Sequence, residues 1–337
     1  MTFKPTSPGD LTPVTLDPLP PGPGGYEGLT GVACPSVSQC TAVDWYGGEV
    51  TFNPTSPGTP TPFSLFAGTI LWDVACPSTS QCTAVDEDGD ELTFDPASPG
   101  TWTGARVDPN HGGLEAIACP SAGQCTAVDR TGHEVTFNPT SRGNPTPVIL
   151  ASDRPTFWGV ACPSTSQCTA VDGDGDAVTF NPTAPANVMT VAINGGDFPH
   201  VACPSTSHCT ATEGNLEVAK EVTFDPTSPR RPVPVRLGNL VLNAVACPSA
   251  SQCTAVEDTR HVVTFNPAKV QCVVPKVKGR SLAAARMDIT AALCAVGKVT
   301  RARSRKVAKG RVALQAPQAG KHLRVGSRVS LVVSRGR

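Results

Sequence analysis

The sequence predicts a mainly β protein in two parts. The first is a six-bladed, alternatively seven-bladed, β-propeller with a disulfide in each blade, and the second is a small α+β domain. Three observations carry this reading. One unit of the form ACPSxSQCTAVD, turn, EVTFNPTSPG recurs six times. Cysteines recur in pairs inside each unit. The chain of 337 residues also holds 34 prolines and 31 glycines with only 16 % charged residues, a composition of short strands and many turns rather than long helices.

The leading cysteines, Cys34, Cys76, Cys119, Cys162, Cys203 and Cys247, are spaced by 42, 43, 43, 41 and 44 residues. A fixed period in this range marks a repeat architecture. Each unit reads as four strands. The first ends in Val74-Ala75-Cys76, the second is Cys82 to Asp86, the third is Leu92-Thr93-Phe94, and the fourth follows a proline-rich loop, as in Thr146 to Leu150. Four strands in about 42 residues is the size of a propeller blade. The chain opens with copies of the third and fourth strands (Thr2-Phe3, then Thr12 to Leu16), and the last unit stops after its third strand at Phe265. The N-terminal fourth strand is therefore expected to complete the sixth blade and hide the edges of an open array. Domain boundaries are expected at residues 1–271 and 272–337.

The cysteines of each unit lie at i and i+6 around a PSxSQ turn, positions that a hairpin brings together. The expected bridges are Cys34–Cys40, Cys76–Cys82, Cys119–Cys125, Cys162–Cys168, Cys203–Cys209 and Cys247–Cys253, with Cys272–Cys294 as the remaining pair. Spacing of this kind lacks the CxxC pairs of zinc knuckles, and no metal is expected from it. Fourteen regularly paired cysteines indicate an oxidising compartment outside the cytoplasm. The first residues show neither a basic stretch nor an apolar run, so the reading expects a gene start placed too late or another export route. No apolar run reaches the ~18 residues of a membrane-spanning helix.

Aligning the units separates scaffold from candidate site. Five residues before the first cysteine the chain is always apolar: Leu29, Leu71, Leu114, Phe157, Phe198, Leu242. The next position varies, and Thr30, Trp72, Glu115, Trp158 and Asn243 there form a candidate ligand ring at one mouth of the channel, with indole faces suited to sugar rings or other flat groups. Blade-to-blade packing explains the same residues. An acid follows each second cysteine by four: Asp44, Asp86, Asp129, Asp172, Glu213, Glu257. It precedes a turn, where carboxylates bond local amides. In two units further acids alternate, Asp86, Asp88, Asp90 and Asp172, Asp174, Asp176, which are weak calcium candidates against the plain reading of a glycine-containing hairpin turn. Catalytic signatures such as GxSxG, HExxH or a P-loop do not occur in a fitting context, and the histidines occupy unrelated register positions.

From Val273 the texture changes. Residues 1–272 carry 11 basic and 27 acidic side chains, net −16; residues 273–337 carry 16 basic and one acidic, net +15. One helix is expected from an N-cap at Ser281, with Leu282, Ala285, Ile289 and Leu293 on its apolar stripe. Two or three short strands are expected, at 297–302, 311–315 and 328–333. The run Val274-Pro275-Lys276-Val277-Lys278-Gly279, then Gly297, Gln315, Pro317, Gly320 and Val329-Ser330-Leu331-Val332-Val333-Ser334 resembles a PASTA domain, the module at the extracellular ends of bacterial penicillin-binding proteins and serine/threonine kinases. The units before it resemble CPSxxxC repeats of secreted proteins in Gram-positive, high-GC bacteria.

The PASTA resemblance implies contact with peptidoglycan or muropeptide, or docking beside wall-synthesis enzymes. The charge adds an electrostatic argument for anionic wall polymers, with Arg301, Arg303, Arg305, Lys306, Lys309 and Arg311 as the wall-binding candidates. Nucleic acid would meet the same charge, but the segment lacks the aromatic interleaving of single-strand binders. The expectation is therefore a non-enzymatic, extracellular or cell-wall-associated binding protein, monomeric, without cofactor and without nucleic acid. The alternatives are a propeller enzyme of lyase or glycan-hydrolase type, and a purely structural surface protein.

Overall fold

The computed structural model describes residues 28–336, apart from 110–111, 142, 152–154, 186, 194–197, 214–218, 229–231, 239–241, 258–261, 267–270, 293 and 325–326. The chain forms two compact units, the first up to Phe265 and the second from Asn266 on, with the short stretch Pro232–Val235 grouped with the second.

The first unit is a row of antiparallel meanders, each pairing its strands in chain order. The second sheet shows the pattern: Leu71–Ser78, Gln81–Asp86, Asp90–Phe94 and Thr103–Arg106. Five such sheets have four strands, and the sixth has three among the described residues: Leu242–Ser249, Gln252–Glu257 and Val262–Phe265. The strand copies at Thr2-Phe3 and Thr12 to Leu16, expected to close the array, lie outside the described residues.

The second strands are covered on both faces, which is why their sequence CTAVD reads as a small apolar run rather than an alternation. Cys82, Thr83, Ala84 and Val85 are all fully buried. Each core lies between successive sheets. Val43 of the first sheet packs with Leu71, Val74, Cys82 and Ala84 of the second. Val85 of the second packs with Leu114, Ile117 and Ala127 of the third. The pattern repeats from Val128 to Phe157 and from Val171 to Phe198. The second, third and fourth sheets therefore each show one face to the sheet before and one to the sheet after, as blades do.

All six i, i+6 disulfides form, with Cα–Cα distances of 4.1 Å. Between Ala75 and Ser78 the register slips against the second strand, so two residues face one, and this bulge brings Cys76 beside Cys82. In the first four units the glutamine of this turn reaches the next sheet. The side-chain amides of Gln39, Gln81, Gln124 and Gln167 donate to the carbonyls of Thr79, Ala122, Thr165 and Thr206 at 2.7–2.9 Å.

The second unit packs one helix, Leu282–Ala291, on a three-stranded sheet. Its central strand, Arg328–Ser334, runs parallel to Ala295–Ala302 and antiparallel to Val312–Ala316. Ser281 Oγ accepts the Ala284 amide at 3.2 Å, the expected N-cap, and Ala285 and Ile289 enter the core with Val274, Val277 and Leu331. Leu293 lies outside the described residues. A further pair, Gln271–Val273 with His322–Arg324, was not expected from sequence. The Cys272–Cys294 bridge forms beside it.

Candidate functional site

The five candidate ring residues share one backbone feature. Pairing runs Leu71 to Asp86, then Asp73 to Val85, which leaves Trp72 as an extra residue. The same slip leaves Thr30, Glu115, Trp158 and Asn243 unpaired in their sheets. A bulge of this kind re-aims one side chain at the end of a strand. In the fifth unit this position is Pro199, which has no amide to pair, and the strand begins only at His200.

Three of the five are drawn into contacts. The Thr30 hydroxyl donates to the carbonyl of Leu71 in the next sheet. Trp72 stacks edge-on against Trp45, ring centres 5.0 Å apart, and the Arg130 guanidinium lies over the Trp72 ring at 5.0 Å. Arg130 also donates to the Glu115 carboxylate. Trp45, Trp72, Glu115 and Arg130 thus form one cluster spanning three sheets. Burial raises the Glu115 pKa, and the Arg130 hydrogen bond and charge work against that rise. Trp158 and Asn243 stay exposed, Trp158 at 37 %. Trp45 and Arg130 were missed from sequence. Both directly follow the recurrent acid, a position whose identity changes from unit to unit.

Four of the recurrent acids, Asp44, Asp86, Asp129 and Asp172, clasp their turns. Asp86 Oδ1 accepts the amides of Asp88 and Asp90 at 2.9 and 2.8 Å. Asp44, Asp129 and Asp172 do the same two and four residues on. Burial, offset by these amides, pushes Asp86 and Asp172 up to about 6. The calcium candidates are placed accordingly: Asp86 and Asp172 hold backbone amides, and Asp90 pairs with Arg106 at 3.1 Å. Among the described residues no three carboxylate, histidine or cysteine side chains come together as a metal set.

Two buried motifs escaped the sequence reading. The glutamate of the third strand is buried in four sheets as Glu49, Glu91, Glu134 and Glu221. Each accepts from the threonine two residues on, at 2.7–3.0 Å. That threonine bonds a threonine on the second strand at 2.8–2.9 Å. Burial pushes Glu49, Glu134 and Glu221 up to about 7 despite the threonine hydrogen bond. The signal was present as Glu-x-Thr with alternate residues on one face. The second motif is a bridge: Asp73 accepts the Val74 amide at 2.8 Å and the Ile117 amide of the next sheet at 3.0 Å.

In the second unit Arg301, Arg303, Arg305, Lys306, Lys309 and Arg311 are all exposed. They lie on the end of one strand and the loop that leads to the next. The Arg311 guanidinium donates to the Gly279 carbonyl at 2.7 Å, and Ser334 Oγ donates to the Val307 carbonyl at 2.7 Å, so the loop is tied to the sheet at two points. The single acid, Asp288, is engaged by Arg280 at 2.9 Å on the helix side. Gln315 braces the opening segment: Oε1 accepts the Val277 amide and Nε2 donates to the Pro275 carbonyl, both at 2.8 Å.

Residues 273–335 match the PASTA domain family, so the second unit is a PASTA domain. No curated protein matches the chain. Among solved structures the chain is similar to U3-55K, with TM-score 0.62 at 10 % identity over 72 % of this chain and 79 % of that one. It is also similar to the RRP9 WD40 repeats, at 0.61 and 11 % over 72 % and 78 %, and to a chain of the Mitotic Checkpoint Complex, at 0.56 and 11 % over 68 % and 71 %. At such identities the likeness shows the fold alone: the repeated sheets are blades of a β-propeller-like array.

Proposed function

We propose that this chain is a non-enzymatic, wall-associated binding protein of the cell exterior. In this reading the PASTA domain holds peptidoglycan or its anionic polymers, and the acidic propeller presents a partner surface. The observation that carries it is the PASTA match together with six exposed cations on one loop and strand end. A polyanion meets there a positive field with no acid on the same loop. Full pairing of the cysteines supports an oxidising compartment, since every cysteine is in a disulfide. No helix among the described residues is long and apolar enough to cross a membrane.

The non-enzymatic part of the proposal is supported by the state of the titratable groups. Asp44, Asp86, Asp129 and Asp172 hold turn amides, Glu49, Glu91, Glu134 and Glu221 hold threonines, and Glu115 and Glu213 pair with Arg130 and Lys220, so these buried acids serve as scaffold. The test is co-sedimentation of the full chain with purified sacculi, beside a variant carrying all six substitutions to alanine. The proposal expects the parent to pellet and the variant to lose at least about tenfold in affinity. Equal pelleting of the two would remove this loop from the account.

A further inference from the structure

We propose that the propeller carries a binding site for one ring of an uncharged saccharide, in a groove where the first sheet meets the second. The site goes beyond the wall-binding reading and rests on its own residues. The groove has a volume of about 240 Å³ and is walled by Phe66 and Trp102 with Asp90, Gly104 and Arg106 around it. That is below the ~300–1,000 Å³ of pockets for drug-sized ligands and suits a single ring.

Its construction is local to this pair of sheets. Phe66 comes from the segment that leaves the first sheet, and Trp102 directly precedes the outer strand of the second. Their rings meet edge to face, centres 5.8 Å apart. Both stay well exposed, at 39 and 37 %, although aromatic rings of this size are normally covered. Gly104 makes room for the indole: a Cβ there would stand 3.1 Å from the Trp102 ring and 2.8 Å from the Glu91 carbonyl. In the fourth sheet Thr190 takes the register position of Gly104, whereas the outer strands of the first and third sheets begin only at Phe63 and Val148.

The polar groups define the ligand class. Arg106 Nε and a terminal nitrogen donate to the two Asp90 oxygens at 3.1 and 3.3 Å. Asp90 and Arg106 cancel each other, while Glu91 in the lining and Asp86 and Asp88 near Arg106 tip the rim acidic, so an anion is repelled and the Arg106 guanidinium stands against a cation. An aromatic cage for an ammonium group is excluded by the guanidinium itself. The pair nevertheless keeps spare capacity, because a carboxylate offers about four lone-pair sites and a guanidinium five N–H groups, and two of each are used. Flat apolar faces beside spare donors and acceptors match a pyranose, whose C–H face stacks on an indole while its hydroxyls bond at the rim. An apolar side chain of a peptide would use the rings and leave the pair idle.

The experiment is calorimetric titration of the full chain with cellotriose, chitotriose and maltotriose. At least one is expected to saturate, with a dissociation constant on the order of 1 mM. Trp102→Ala should weaken it at least tenfold, and so should Gly104→Val, which keeps the indole but fills the space beneath it. Thermal unfolding of both variants shows that the array is intact. Substitution of the six PASTA cations should leave the titration unchanged, which separates this site from wall binding. Saturation by none of the three sugars overturns the proposal, as does parental affinity in Trp102→Ala. Binding confined to aromatic or proline-rich peptides would replace the saccharide with a protein partner.

Discussion

The guanidinium of Arg130 lies 5.0 Å from the ring centre of Trp72, a contact between the third sheet and the second. It joins a cation–π contact to an ion pair, because the same group holds the buried Glu115 carboxylate. Arg130→Ala removes both at once. The expected loss is about 1–2 kcal/mol, discounted for the half-exposed guanidinium, read as a lower urea midpoint at unchanged slope. An unchanged midpoint would show that the cluster does not bind the sheets together.

Stability should depend on pH through the buried glutamates. Burial pushes Glu49, Glu134 and Glu221 from 4.5 up to about 7. Between those values the folded chain holds protons that the unfolded chain has released, so the stabilisation is complete below 4.5 and lost as pH rises through about 7. Asp73, Asp86 and Asp172, raised from 3.8 to about 6, act in the same direction at lower pH. His200, lowered by burial from 6.5 to about 4, opposes them between those two values. The melting temperature is therefore expected to be several degrees higher near pH 5.5 than at pH 8.5. Glu134→Gln, which keeps an acceptor for Thr136, should flatten part of that slope. A melting temperature that rises steadily to pH 8.5 would contradict the assignment.

Each blade disulfide closes a six-residue separation. On the loop-entropy model such a closure contributes about 2 kcal/mol. Replacing both Cys162 and Cys168 by alanine should cost about that much, with the fold retained, whereas a reductant acting on all six pairs should unfold the array. Circular dichroism in the presence and absence of reductant separates the two outcomes.

Much of the scaffold was legible because the repeat states it six times. The paired cysteines, the small residues of the second strand and the turn acid each serve one local geometry, so chain spacing alone places them. The bulge at Trp72 was not legible, since an extra residue inside a strand leaves the period unchanged. Arg130 and Trp45 were hidden for a related reason: they act across sheets, and contacts between units leave no mark within a unit. The groove at Phe66 and Trp102 arises where one unit departs from the rest, at Gly104, and alignment of repeats directs attention to what recurs. In the PASTA domain the helix and three strands followed from apolar spacing. The pair at 271–273 and 322–324 was missed because three-residue strands show no periodicity.

Gln315 holds the opening segment of the PASTA domain through both ends of its amide. Gln315→Ala leaves the Val277 amide buried without its partner, and an unsatisfied buried donor costs about 1–3 kcal/mol. Hydrogen exchange should report faster opening at Val277 than in the parent, with the propeller amides unaffected. Equal protection at Val277 would mean the brace is dispensable.

The most direct test of wall association is retention of the full chain on sacculi, with and without their anionic polymers, across a salt series. The account predicts retention on both, with the polymer-dependent part lost as salt rises, because exposed cations are screened within about 10 Å at 0.1 M. Failure to bind either preparation at low salt would contradict it and leave the two domains without a role at the wall.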